Sequence, residues 1–132
     1  MQPIMEYYFN TIVHASFEEA IARTTEALKK EGFGIVSEID MQAKLKEKLG
    51  VDYKKYKILG ACNPAFALKA LQAEEKIGTM LPCNVVIIDK ENDTTEVVAV
   101  DPIASMMAVK NQALAPLAGE VAEKLQRVIR SL

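Results

Sequence analysis

The sequence has one histidine, two cysteines and no tryptophan. A closed structural zinc site takes four nitrogen or sulfur ligands. His14, Cys62 and Cys83 supply three at most, and neither Cys-x-x-Cys nor His-Glu-x-x-His spacing occurs. A serine triad would need His14 as its base, and no serine lies on a recognisable strand-to-helix elbow. The glycines form no phosphate loop. Gly32 and Gly34 fall between a helix and the strand after it, the wrong context for a dinucleotide fingerprint. Long hydrophobic runs are missing as well: Val85 to Ile88, as long as any, is far short of the roughly 20 residues that cross a bilayer.

Charge of either sign is not in surplus. The chain carries 16 basic and 18 acidic residues, a formal net charge of −2, so the basic footprint that phosphate binding requires is absent and no nucleic-acid partner is expected. The densest lysine stretch, Lys44 to Lys57, is interrupted by Glu47 and Asp52 and reads as a solvated face. The opening MQPIMEYY has no basic segment leading into a long apolar run, so no secretory signal or membrane partner is expected. A cytoplasmic location follows as the default, with both cysteines as free thiols.

What is present suits one folded domain over 1–132. Half of the residues are hydrophobic and 26% are charged, and a chain of this length can bury a core without staples. Ile4 to His14 reads as a strand, with Tyr7, Phe9, Thr11 and Val13 on one face and Tyr8, Asn10 and Ile12 on the other. Ser16-Phe-Glu-Glu19 is a capping box. The helix behind it carries Phe17, Ile21, Thr24 and Leu28 as a stripe and ends at Gly32. Phe33 to Ile39 is a second strand, and Asp40 caps a helix that Gly50 stops. Tyr56 to Ala61 is a third strand, and Asn63-Pro64 opens another helix with a capping residue and a first-turn proline. Asn84 to Asp89 looks buried on both faces, or nearly so, and pairs through a polar loop with Thr95 to Asp101. Pro102 starts a short helical piece. Ala115 to Leu132 is the last helix, with exposed Glu120–Lys124 and Glu123–Arg127 pairs one turn apart.

The order β-α-β-α-β-α-β-β-α has a direct β-β connection, which points to an α+β domain: a mainly antiparallel sheet with helices packed on one face. His14 at the end of the first strand reads as a hydrogen-bonded surface residue. The six methionines read as core filling, with Met80 and Met106-Met107 able to line an adaptable pocket or act as soft-metal ligands.

Cys62 is the more informative thiol. It ends a strand and precedes a helix N-terminus, where free N–H groups at Ala65 and Phe66 would favour a thiolate or hold a small anion. Taken singly, core packing is the better reading for Cys62, and more so for Cys83. Whether the two meet depends on topology: parallel flanking strands would put them at opposite ends of the sheet, antiparallel neighbours at the same end.

Cys62-Asn-Pro64, the Ala67-Leu-x-x-Leu71 helix, Ile77-Gly78 and Leu81-Pro-Cys83 before an apolar strand, together with Gly32-Phe33 and Glu38-Ile-Asp40, resemble the bacterial and archaeal family catalogued as domain of unknown function 302. The resemblance covers essentially the whole chain. It implies a small cytosolic α+β domain of the TATA-binding-protein-like kind, forming a homodimer. It brings no catalytic residue, metal or cofactor to carry over, and on this acidic chain it implies no DNA binding. It also makes the helix after Pro64 an insertion between neighbouring antiparallel strands, so that Cys62 and Cys83 share one end of the sheet. The reading that results is a non-catalytic binding domain, with a small-ligand or partner site at Cys62, Asn63, Pro64 and Cys83. The alternative is a thiol-redox or soft-metal-binding protein using Cys62 and Cys83.

Overall fold

The computed structural model describes residues 6–132. The chain runs β1 (Tyr8–Val13), α1 (Phe17–Lys30), β2 (Gly34–Asp40), α2 (Met41–Leu49), β3 (Tyr56–Cys62) and α3 (Pro64–Ala73). A 3-10 helix (Glu75–Met80) follows, then β4 (Cys83–Asp89), β5 (Thr95–Val100), α4 (Pro102–Ser105) and α5 (Leu114–Ser131). Of the strand expected from Ile4, residues Ile4 and Met5 lie outside the described residues. All five strands join one sheet in the order β1-β5-β4-β3-β2, and every neighbouring pair is antiparallel. The fold is α+β.

Local chemistry sets the boundaries. Ser16 Oγ accepts a hydrogen bond from Glu19 N at 3.1 Å, occupying an N–H that the first turn of α1 leaves without an intrahelical partner. Phe17, Ala20, Thr24 and Leu28 then form the buried stripe of α1, and the Thr24 hydroxyl donates to the Ala20 carbonyl at 2.7 Å. At the next helix Asp40 Oδ1 accepts from Ala43 N at 2.9 Å, and Gly50, at φ +66°, takes the left-handed turn that stops it. The β4–β5 hairpin is closed by a polar loop in which Glu91, Asn92 and Asp93 all have positive φ.

The main core lies between one face of the sheet and helices α1 and α5. Leu59, Val85, Ile87, Val97 and Ala99 come from the sheet, Leu28 from α1, and Leu125 and Val128 from α5; none exceeds 1% exposure. Burial of each large aliphatic side chain contributes roughly 1.5–3 kcal/mol. A second, smaller cluster sits beyond the sheet end, where Ala70 of α3, Ile77 of the 3-10 helix and Leu114 of α5 meet.

Two expectations change. Strand β4 is buried on one face only: Cys83, Val85 and Ile87 are buried, Val86 and Ile88 are half-buried, and Asn84 is exposed. The helices cover a single face of the sheet, so alternate residues of a central strand face away from the core. Arg127 does not pair with Glu123 within α5. Its Nε and Nη2 approach Glu31 Oε1 at 3.1 and 3.0 Å, which ties α5 to the C-terminal cap of α1.

Candidate functional site

Strand β3 ends and β4 begins at the same edge of the sheet, because α3 and the 3-10 helix leave and return on one side. The register pairs Ala61 with Cys83, so Cys62 and Cys83 stand at the same end. Both are free thiols. Beyond this end, between the main core and the smaller cluster, lies a cavity of about 370 Å³.

Its walls come from distant parts of the chain. Phe33 and Val36 belong to the β2 side, Ala61, Cys62 and Asn63 to the end of β3, and Phe66, Ala67 and Ala70 to α3. Leu81 and Cys83 lead into β4, and Met106, Leu117 and Val121 come from the α4–α5 side. Val36 at 63% and Leu71 at 43% exposure mark where the cavity meets solvent. Among the described residues no carboxylate, imidazole, ammonium or guanidinium lines it. Two cations stand near one wall without lining the cavity: Lys69 Nζ and Lys124 Nζ lie over the Phe66 ring, 5.8 and 6.0 Å from its centroid. That ring is a wall between the charges and the apolar interior.

Of the four residues expected at a site, Cys62, Asn63 and Cys83 line the cavity. Pro64 occupies the first turn of α3 and is exposed, outside the lining. Asn63 holds the N-cap position, yet its side chain makes no capping hydrogen bond. Its amide instead lies against Gly32, where an added Cβ would sit 3.0 Å from Asn63 Nδ2. Gly32, at φ +87°, therefore serves both the end of α1 and the approach of Asn63.

The Cys83 thiol is pushed up to about 11, first by burial and then by the neighbouring Cys62. Cys83 is thus a neutral, weakly polar wall group near neutral pH. Among the described residues no three His, Cys, Asp or Glu side chains converge on a common metal position. Met106 lines the cavity, whereas Met80 and Met107 are exposed. With no carboxylate or imidazole among the described lining residues, the arrangement suits enclosure of an apolar body better than acid–base chemistry.

Sequence reasoning offered Met106 for a pocket wall, and it lines this one, but did not assign the α5 part of the wall to the site. Leu114, Leu117, Ala118 and Val121 all line the cavity, and their spacing continues the apolar stripe of α5 beyond the sheet. The signal was present: an amphipathic face longer than the sheet it covers must pack its overhang on something else.

The model of the family described as "Domain of unknown function DUF302" matches residues 9–132. No curated protein matches the chain. Among solved structures, the crystal structure of an uncharacterized conserved protein DUF302 from Bacillus stearothermophilus is similar. It is 30% identical, covers 96% of this chain and 98% of its own, and superposes with a TM-score of 0.87. No helix among the described residues is long and apolar enough to cross a membrane. With the family model spanning nearly the whole chain and a relative of the same architecture over the same length, this chain belongs to the DUF302 family.

Proposed function

We propose that this chain is a non-catalytic binding domain for a small, uncharged, largely apolar molecule, held at the sheet end beside Cys62, Asn63 and Cys83. The observation that carries the reading is the cavity itself: about 370 Å³ between two hydrophobic clusters, with walls of aliphatic, aromatic and thiol groups. Pockets that enclose small ligands are concave, mostly apolar and largely preformed. The side-chain amide of Asn63 and the thiol of Cys62 are the polar groups available to orient a ligand at the wall. The absence of a cation among the described lining residues argues for a neutral ligand over an anion. Two free thiols are in keeping with a reducing cytoplasm.

The second reading, thiol-redox or soft-metal binding by Cys62 and Cys83, draws on the two thiols that line one cavity. The raised pKa of Cys83 weighs against it, since the thiolate is the nucleophile and the metal ligand.

The test is fluorescence titration with N-phenyl-1-naphthylamine, an uncharged apolar dye, on the parent protein and on Ala67→Leu. Ala67 lines the cavity from α3, and the added side chain would occupy it. The parent should bind the dye and melt at a higher temperature with it, because a ligand at 100 times its Kd adds about 2.7 kcal/mol of stability. Ala67→Leu should fold and lose the binding. Equal dye binding by folded parent and variant would place the site elsewhere, and no binding by the parent would sink the apolar-ligand reading.

A further inference from the structure

Asn63 stands apart from the rest of the cavity wall. Sulfur groups aside, its carboxamide is the only side chain among the described lining residues that can form a hydrogen bond. It occupies the N-cap of α3, where an asparagine ordinarily accepts from an N–H of the first turn, yet it makes no such bond. Other asparagine amides are engaged: Asn10 Nδ2 donates to Glu96 Oε2 and Asn111 Nδ2 to the Ala73 carbonyl, both at 2.8 Å. The Asn63 amide takes part in no side-chain hydrogen bond among the described residues. No fully buried side-chain nitrogen or oxygen among them lacks a partner. The Asn63 amide is therefore not sealed in the protein, and the half-buried residue that carries it lines the cavity.

We propose that Asn63 is the specificity-determining residue of this cavity, and that its ligand is an apolar body bearing one neutral carbonyl oxygen, of the ketone, ester or amide kind, which accepts a hydrogen bond from the Asn63 amide. The proposal rests on the apolar-ligand reading and adds a polar group to it.

The cost of ignoring Asn63 argues for a polar group on the ligand. Between guests such an amide is satisfied by water. A hydrocarbon that displaced this water would leave the amide unpaired against apolar walls, which costs more than an ordinary hydrogen bond contributes. A ligand that restores the bond avoids the loss.

The kind of group follows from what the corner offers. The Asn63 amide brings two donor hydrogens. Beside it, Ala67 N is the first α3 amide bonded back along the helix, to the Asn63 carbonyl at 2.9 Å, and no capping bond from Asn63 occupies the N–H groups of the first turn. Donors thus outnumber acceptors here. A carbonyl oxygen has two lone pairs and no proton of its own to satisfy, so it complements them. With no cation among the described lining residues, a carboxylate would enter without a counter-charge, and the neutral carbonyl is favoured.

The test compares two guests of one shape, 2-acetonaphthone and 2-isopropenylnaphthalene, which differ only by C=O against C=CH2. Each is titrated as a competitor of bound N-phenyl-1-naphthylamine on the parent and on Asn63→Ala. In a wholly apolar cavity the hydrocarbon would bind tighter, because the ketone gives up hydrogen bonds to water on entering. The parent should instead prefer the ketone. Asn63→Ala should reverse the order, weakening the ketone about tenfold or more and leaving the hydrocarbon no weaker. Since Asn63 makes no capping bond, its truncation should leave α3 in place, as far-UV circular dichroism would show. Should the variant lose its fold, carbonyl-labelled carbon-13 ketone on the parent decides the matter. Its bound resonance should lie downfield of its position in hexane, as that of a hydrogen-bonded carbonyl does. Tighter binding of the hydrocarbon by the parent, unchanged ketone affinity in the folded variant, or a hexane-like carbonyl resonance overturns the proposal and leaves the apolar-ligand reading standing. So does a bound dye that neither compound displaces. A parent that does not bind the dye at all overturns both.

Discussion

Gly60 and Pro82 are packed so closely that a Cβ on Gly60 would lie 2.7 Å from Pro82 Cγ and would also collide with the Ser37 hydroxyl. Gly60 is buried in β3, one residue before the Ala61–Cys83 pair, and Pro82 immediately precedes β4. This contact fixes how the chain re-enters the sheet after the α3 excursion. Gly60→Ala should lower unfolding stability by about 1–3 kcal/mol through overpacking against the ring and the hydroxyl. Urea denaturation checks it, and an unchanged midpoint would mean that Pro82 and Ser37 give way freely.

Cys83 should make stability fall with alkaline pH. Its thiol ionises near 9.0 in an unfolded chain and at about 11 in the folded protein. The folded state therefore holds the proton more tightly. The associated stability is fully present below pH 9 and is lost as pH rises through about 11, on the order of 3 kcal/mol in all. Cys83→Ala lacks this group, so the stability difference between parent and variant should narrow across that window. A difference constant from pH 8 to 11 would contradict the burial of the thiol.

The same geometry orders the two cysteines toward a thiol reagent. At pH 7.5, with dithionitrobenzoate, Cys62 should react first, since it is half-exposed, and Cys83 only on the timescale of opening or unfolding. Two fast thiols, or a disulfide formed at once under mild oxidant, would favour the redox reading.

Asp40→Ala should cost α2 about 1 kcal/mol, because Asp40 Oδ1 is the acceptor for Ala43 N and the helix has no buried residue to hold it otherwise. Hydrogen exchange across Gln42–Lys48 should speed up selectively. A uniform loss across the whole protein would show that α2 is part of the global folding unit.

Leu125→Ala should be the most damaging of these changes, at about 2–5 kcal/mol. Leu125 is fully buried between α5 and the sheet, in the main core and away from the cavity lining. The variant should lose thermal stability while retaining dye binding at temperatures where it remains folded.

Much of this fold could be read from local chemistry. Ser16, Asp40, Gly32 and Gly50 marked helix ends because caps act within four residues, a range that sequence displays directly. Antiparallel pairing of β3 with β4, which the residues alone left open, followed from the family resemblance that makes α3 an insertion and puts Cys62 and Cys83 at one sheet end. The failures were non-local. Asn63 is a favoured capping residue type, yet its amide is taken up by proximity to Gly32, 31 positions earlier. Arg127 chose Glu31 over Glu123 because α1 and α5 lie side by side, which helix periodicity cannot reveal. The cavity was half legible for the same reason: its strand-end wall is contiguous in sequence, and its α5 wall is some 50 residues away. The alternating burial of β4 was hidden by its unbroken apolar run.

Helix α5 crosses both clusters. Leu125, Val128 and Ile129 anchor its second half in the main core, whereas Leu114, Leu117 and Ala118 in its first half close the cavity. The two halves need not detach together. Fraying of the opening turns would unroof the cavity and leave the sheet and the rest of the helix in place, giving a guest an entry route that costs far less than global unfolding. An occupant would then act as a latch on those turns. Its arrival would be recorded as slowed amide exchange confined to residues 114–121, a local signature independent of any change in the melting temperature.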